Sequence, residues 1–183
     1  KIVEEKDTND DEKNIRFVNA GIMALRTPMM FDLLDAIAYN TISGEKYLTD
    51  CIAAAHDAGN HVITLTAEGD EVMGINTRHQ LATAEAIMQT RLRQAAMDGG
   101  ATLIAPETVF LHHDTVLEQD VIVDPNVVFG PGVIVGEGST IKSFSHLEGA
   151  TLGACCVIGP YARLRPGTHL GEGVKIGNFE ETK

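Results

Sequence analysis

One pattern limits what this chain can fold into more than any other. From Leu111 onward an aliphatic residue returns every six positions: Leu117, Val123, Phe129 (the aromatic exception), Val135, Ile141 and Leu147. The register then slips by one residue and resumes at Leu152, Ile158, Leu164, Leu170 and Ile176. Four places after each of these, up to Leu170, sits a small or β-branched residue: Thr115, Val121, Val127, Val133, Ser139, Ser145, Thr151, Cys156, Ala162, Thr168 and Val174. Glycine often follows the aliphatic position, as at Gly130, Gly136, Gly153, Gly159, Gly171 and Gly177. A sustained six-residue period is the signature of a hexapeptide solenoid. Each hexad supplies a short strand and a turn. The aliphatic and small side chains point inward, and glycine supplies backbone for the tight turns. Three hexads close one triangular coil, so the pattern predicts about four coils of stacked parallel strands. An open solenoid exposes strand edges at its terminal coils, and these need cover.

The chain changes character near residue 100. Seven of the 18 glycines precede residue 101 and eleven follow it in fewer residues. Such a shift marks two domains. Residues 1–76 alternate strand and helix signals. Ile15–Leu25 is apolar and β-branched, with the length of a buried strand. Phe31–Asn40 and Tyr47–Ala58 carry helical spacing, and Gly59 stands where a helix-terminating glycine belongs. His61–Thr66 predicts another strand. Together these predict part of an α/β layered domain. Residues 77–100 predict a linker helix, with Thr77 as N-cap and Gly99-Gly100 as stop. Its apolar face is expected at Leu81, Ala84, Met88, Leu92 and Ala95. Residues 101–183 hold the repeats.

Charge and cysteine usage narrow the partners. Lys plus Arg is 14 and Asp plus Glu is 26, so the formal net charge is 14 − 26 = −12. Phosphate backbones select clustered cations, and the basic residues here are scattered, which argues against nucleic acid and anionic membrane. No apolar run approaches the roughly 20 residues of a membrane helix. Three cysteines, two of them adjacent, make no disulfide framework and fit a reducing, cytoplasmic compartment. Cys156 falls on an inward position and Cys155 on the opposite side. His112-His113 suggests a metal, but neighbours in a strand point to opposite faces, and no carboxylate spacing supports a site. The acidic run Asp7–Glu12 is expected to be a solvated loop.

Several segments carry a resemblance. They are IVEEKD at 2–7, VNAGI at 18–22, GEKYLTD at 44–50, GIN at 74–76, RHQL at 78–81, IGPYARLRPG at 158–167 and GNF at 177–179. Through them the chain resembles the bifunctional N-acetylglucosamine-1-phosphate uridyltransferase and glucosamine-1-phosphate acetyltransferase family. The narrowest match is the Arg-Pro-Gly turn behind a GPYAR hexad. The resemblance implies an α/β nucleotidyltransferase domain, represented by its C-terminal part, then a linker helix and a left-handed parallel β-helix that forms homotrimers. It implies Mg²⁺-dependent uridylyl transfer from UTP to N-acetylglucosamine 1-phosphate, and acetyl transfer from acetyl-CoA to glucosamine 1-phosphate. The product is UDP-N-acetylglucosamine, for peptidoglycan and lipopolysaccharide synthesis.

The resemblance also implies roles for particular residues. Glu4 would contact sugar hydroxyls, for which a carboxylate is a good acceptor. Asn19 would bind the sugar through its amide; the family usually has Thr after this Asn, and here it is Ala20. Asn76 would ligate Mg²⁺ and contact the nucleotide, its side-chain carbonyl being a hard oxygen donor. Tyr47 and Thr49 would lie near the sugar. Arg165 would hold phosphate through a bidentate fork and Lys183 through a point charge. No catalytic residue falls in the chain. The triphosphate loop and second Mg²⁺ carboxylate would lie before Lys1, and the acetyl-transfer base after Lys183. An internal fragment without activity of its own is therefore expected. Two other readings stand beside this one: another sugar-1-phosphate nucleotidyltransferase with a β-helix tail, and a non-enzymatic trimeric β-helix scaffold.

Overall fold

The structure is a computed structural model and describes residues 1–40 and 44–182. The chain divides into two compact units, Lys1–Gly74 and Ile75–Lys183.

In the first unit, helix α1 (Thr27–Ala36) begins earlier than the spacing predicts, because Pro28 supplies the preset φ that a first helical turn favours. Helix α2 (Asp50–Asp57) ends as expected. Gly59 takes φ +76, and the amides of Gly59 and Asn60 return to His56 O and Ala55 O at 2.9 Å each. The two helices bury Leu33, Ile37, Cys51 and Ala55 against one another. Burial pushes the Cys51 thiol pKa up, as suits a packing residue. Both expected strands fail to form: no strand occurs among the described residues of this unit, so its α/β layering is not seen. The physical reason is the lack of a ladder. A strand satisfies its N–H and C=O groups only beside another strand, and neither segment has one. Val18 is 80 % exposed and Leu65 85 %, so the apolar residues that suggested strands remain open to solvent.

The second unit begins with helix α3 (Arg78–Asp98). Thr77 and Gln80 form a reciprocal capping box: the Gln80 amide donates to Thr77 Oγ1 at 3.1 Å, and the Thr77 amide to Gln80 Oε1 at 2.9 Å. Gly100, at φ +100, lets the Ala101 amide turn back to Ala96 O at 3.1 Å. The packed face differs from the expected one. Leu81 and Met88 are exposed, while Gln89 is buried and Leu92, Ala96 and Met97 pack on the solenoid core. Polar demand decides this. The first coil has no coil before it, and Gln89 supplies the missing partners. Its amide donates to Leu111 O at 2.7 Å and accepts from Leu111 N–H at 3.0 Å. Arg93 Nε donates to Val109 O at 2.8 Å.

Among the described residues, twelve short strands follow in three parallel sheets. One sheet runs β1 (Thr102–Leu103), β3 (Ile122–Val123), β6 (Thr140–Ile141), β9 (Val157–Ile158), β12 (Lys175–Ile176). A second runs β2 (Val116–Leu117), β5 (Ile134–Val135), β8 (Ala150–Leu152), β11 (Thr168–Leu170). The third runs β4 (Val128–Phe129), β7 (His146–Leu147), β10 (Arg163–Leu164). The second unit thus carries a parallel β-solenoid of about four turns, as the six-residue period predicts. The pairing shows where the register slips. Ile122 pairs with Thr140, 18 residues on, but Thr140 pairs with Val157, only 17 on. The hexad after Leu147 is one residue short, so Ala150 fills the inward small position, buried at 0 % exposure, and Thr151 does not. Cys156 is buried and Cys155 exposed, as the repeat requires.

Coils approach closely at the glycine corners. A Cβ on Gly136 would lie 2.6 Å from the Gly153 carbonyl carbon, whereas one on Gly171 would meet nothing within 4 Å. Gly136→Ala is therefore expected to lose about 1–3 kcal/mol of stability, the usual cost of overpacking. Gly171→Ala should stay within about 0.5 kcal/mol of wild type. Urea denaturation of both variants checks the contrast. In the same assay Gln89→Ala is expected to cost about 1–3 kcal/mol, because it strands the polar groups of Leu111.

Candidate functional site

The best-formed site is built on the Arg165-Pro166-Gly167 turn that follows β10. Leu164 points into the core at 0 % exposure, so its neighbours Arg163 and Arg165 both point outward. The turn is held from three sides. Gly167 adopts φ +90, a conformation open chiefly to glycine. Pro166 lies over Gly149, where a Cβ would come within 2.8 Å of Pro166 Cα. Thr168 Oγ1 donates to Arg165 O at 2.7 Å, and it lies 2.6 Å from Thr182 Oγ1. The Arg165 amide donates to Thr182 Oγ1 at 3.1 Å.

The two guanidinium groups converge on one carboxylate. Arg165 reaches Glu181 Oε1 through both Nε and NH2, at 2.7 Å each, and Arg163 NH1 lies 3.6 Å from the same oxygen. Two positive charges thus face one negative charge on a chain that is otherwise strongly acidic. The fork is half-exposed and could exchange its carboxylate for another oxyanion. Arg163 and Glu181 were not singled out from the sequence. Their signal was present: Arg163 and Glu181 are 18 residues apart, one coil, and pair directly in parallel register. Lys183 lies outside the described residues.

The remaining residues occupy separate places. Glu4 precedes a 3₁₀ turn (Glu5–Asp7), and Thr49 Oγ1 donates to Glu4 Oε1 at 3.4 Å. Lys6 Nζ sits 5.2 Å from the Tyr47 ring centroid. The hydrogen bond to Tyr47 is the main reason the Lys6 pKa is raised. The first unit therefore brings Glu4, Lys6, Tyr47 and Thr49 together. Asn19 lies on an exposed stretch without regular secondary structure. Among the described residues no hydrogen bond joins it to Glu4. Asn76 precedes the Thr77 cap, and its amide donates to Gln80 Oε1 at 2.8 Å.

The expectation that His112 and His113 diverge is corrected. Residues 112–115 form a turn between the Phe110 bridge and β2, so strand alternation does not apply, and the carboxylate of Asp114 joins them. No helix among the described residues is long and apolar enough to cross a membrane.

Comparison with known proteins agrees with this architecture. Residues 114–149 match the family model "Bacterial transferase hexapeptide (six repeats)". The chain is 59% identical over 182 residues to the "Bifunctional protein GlmU" of Azorhizobium caulinodans, covering 100% of this chain and 41% of that protein. It is 51% identical over 183 residues to the protein of the same name from Ruegeria pomeroyi, again with 100% and 41% covered. For the Xanthobacter autotrophicus protein the figures are 59% over 165 residues, 90% of this chain and 37% of that protein. The chain thus spans about two fifths of the length of the curated relatives it matches. With identity of this order along its whole length, and the hexapeptide solenoid beneath it, the chain belongs to the GlmU family.

Proposed function

We propose that this chain serves UDP-N-acetylglucosamine synthesis, carrying parts of the sites for two transfers. One moves a uridylyl group from UTP to N-acetylglucosamine 1-phosphate. The other moves acetyl from acetyl-CoA to glucosamine 1-phosphate. The observation that carries this reading is the Arg163 and Arg165 pair on a braced Arg-Pro-Gly turn of a transferase-type solenoid. A sugar phosphate would take the place of the Glu181 carboxylate in the Arg165 fork, since both present oxygens at the spacing a guanidinium matches.

In the first unit, Glu4 receives sugar hydroxyls in place of the Thr49 hydroxyl, and Asn19 offers a donor and an acceptor to the acetamido group. Asn76 Oδ1 is a hard oxygen of the kind Mg²⁺ accepts, and its side chain is exposed, so the donor chemistry fits. Mg²⁺ bound there would supply charge neutralisation as pyrophosphate leaves. The solenoid is left-handed and joins three copies, the first unit is part of a nucleotidyltransferase domain, and the protein works in the cytoplasm.

The test is binding of glucosamine 1-phosphate to the chain, followed by NMR. Arg165→Ala is expected to weaken binding about tenfold or more, the equivalent of one charge-assisted hydrogen bond. Glu181→Gln removes the competing charge and should bind at least as tightly as wild type. Equal affinity in wild type and Arg165→Ala would overturn the assignment.

A further inference from the structure

The turn at residues 112–115 holds three metal-ligating side chains that neither transfer uses. The His112 and His113 ring centroids are 4.4 Å apart, tilted by 55°. His112 Nδ1 lies 2.6 Å from Asp114 Oδ1. One ligand atom from each of His112, His113 and Asp114 falls within 4.8 Å of the others.

The turn is braced around this cluster. Both oxygens of Asp114 accept from the Gly132 amide of the next coil, at 3.1 and 3.0 Å. The His112 amide donates to Thr115 Oγ1 at 3.1 Å, and the Thr115 amide returns to His112 O at 3.0 Å. One residue earlier, Leu111 is clamped on both backbone groups by Gln89. Little backbone freedom is left to lose when a ligand arrives, which favours binding.

We propose that His112, His113 and Asp114 bind one late first-row divalent cation, of which Zn²⁺ is the probe of choice. Bonds of about 2.0–2.2 Å to imidazole nitrogen and carboxylate oxygen place ligand atoms roughly 3–4 Å apart. The cluster is already near that spacing, and the exposed His113 side chain can rotate the remainder. Two nitrogens and one oxygen select zinc, nickel, copper or cobalt over Mg²⁺, which demands oxygen ligands. Three protein ligands leave at least one coordination position open. Both histidines also line the groove between α3 and the first coil, beside Leu92 and Gly99, so the open position would be available to a ligand entering there.

Zn²⁺ titration of the 183-residue chain by calorimetry tests this. The background carries Cys155→Ser, because the exposed Cys155 thiol is a competing soft ligand. One Zn²⁺ per chain is expected, with a raised Tm, and no comparable saturation by Mg²⁺. His113→Ala should weaken Zn²⁺ binding about tenfold or more. His169→Ala, at another exposed histidine of the solenoid, should leave it unchanged. Circular dichroism confirms that the His113 variant keeps its fold. With Co²⁺ in place of Zn²⁺, visible bands without a thiolate charge-transfer band are expected. Absence of a saturable site in the Cys155→Ser chain, or unchanged affinity in His113→Ala, would overturn the proposal.

Discussion

Everything in the second unit depends on hydrogen bonds that run along the solenoid axis, from each coil to the next. A strand of two residues is far too short to persist alone. Here, apart from the β1–β3 pair (Thr102 with Ile122), each is paired with strands 17 or 18 residues away, as in Ile134 with Val116 on one side and Thr151 on the other. The same stacking brings the inward residues into columns, so Val123, Ile141 and Ile158 lie buried one above another. Backbone satisfaction and apolar burial are therefore one event. A misfit in one coil is felt by its neighbours, as in repeat architectures generally.

Such a ladder has to be finished at its open end, and that requirement explains helix α3. Its packed face is chosen less by apolar spacing than by where Gln89 and Arg93 meet the free carbonyls of Leu111 and Val109. A buried polar group left without a partner costs more than a partly exposed Leu81 or Met88. Two polar side chains thus hold the helix on the solenoid, and Leu92, Ala96 and Met97 add the apolar contact.

The two proposed sites sit at the corners, where side chains face outward and the backbone is most constrained. The Arg-Pro-Gly turn is rigid because Pro166 is pressed over Gly149 and Thr168 closes the bend. The turn at 112–115 is rigid because Asp114 reaches the next coil. In both places a stacked scaffold holds charged side chains in register at little entropic cost. A phosphate-binding fork or a small metal site needs that same arrangement.

The period-six pattern by itself determined the solenoid, its inward residues outside the short hexad and the one-residue slip, because a repeat with a fixed step leaves one way to stack. Capping chemistry likewise placed the start and stop of α3, since Thr77 and Gly100 act within a turn of the chain. The Arg-Pro-Gly turn was legible for the same local reason. The tertiary structure alone decided which face of α3 packs, that Ala150 rather than Thr151 fills the short hexad, and that Glu181 closes on Arg165. It also decided that Asp114 joins His112 and His113, and that Ile15–Leu25 and His61–Thr66 stay unpaired. Those outcomes depend on partners from other parts of the fold. A residue can advertise its own conformational preference, but a ladder, a clamp or a ligand set exists only once a distant segment arrives beside it.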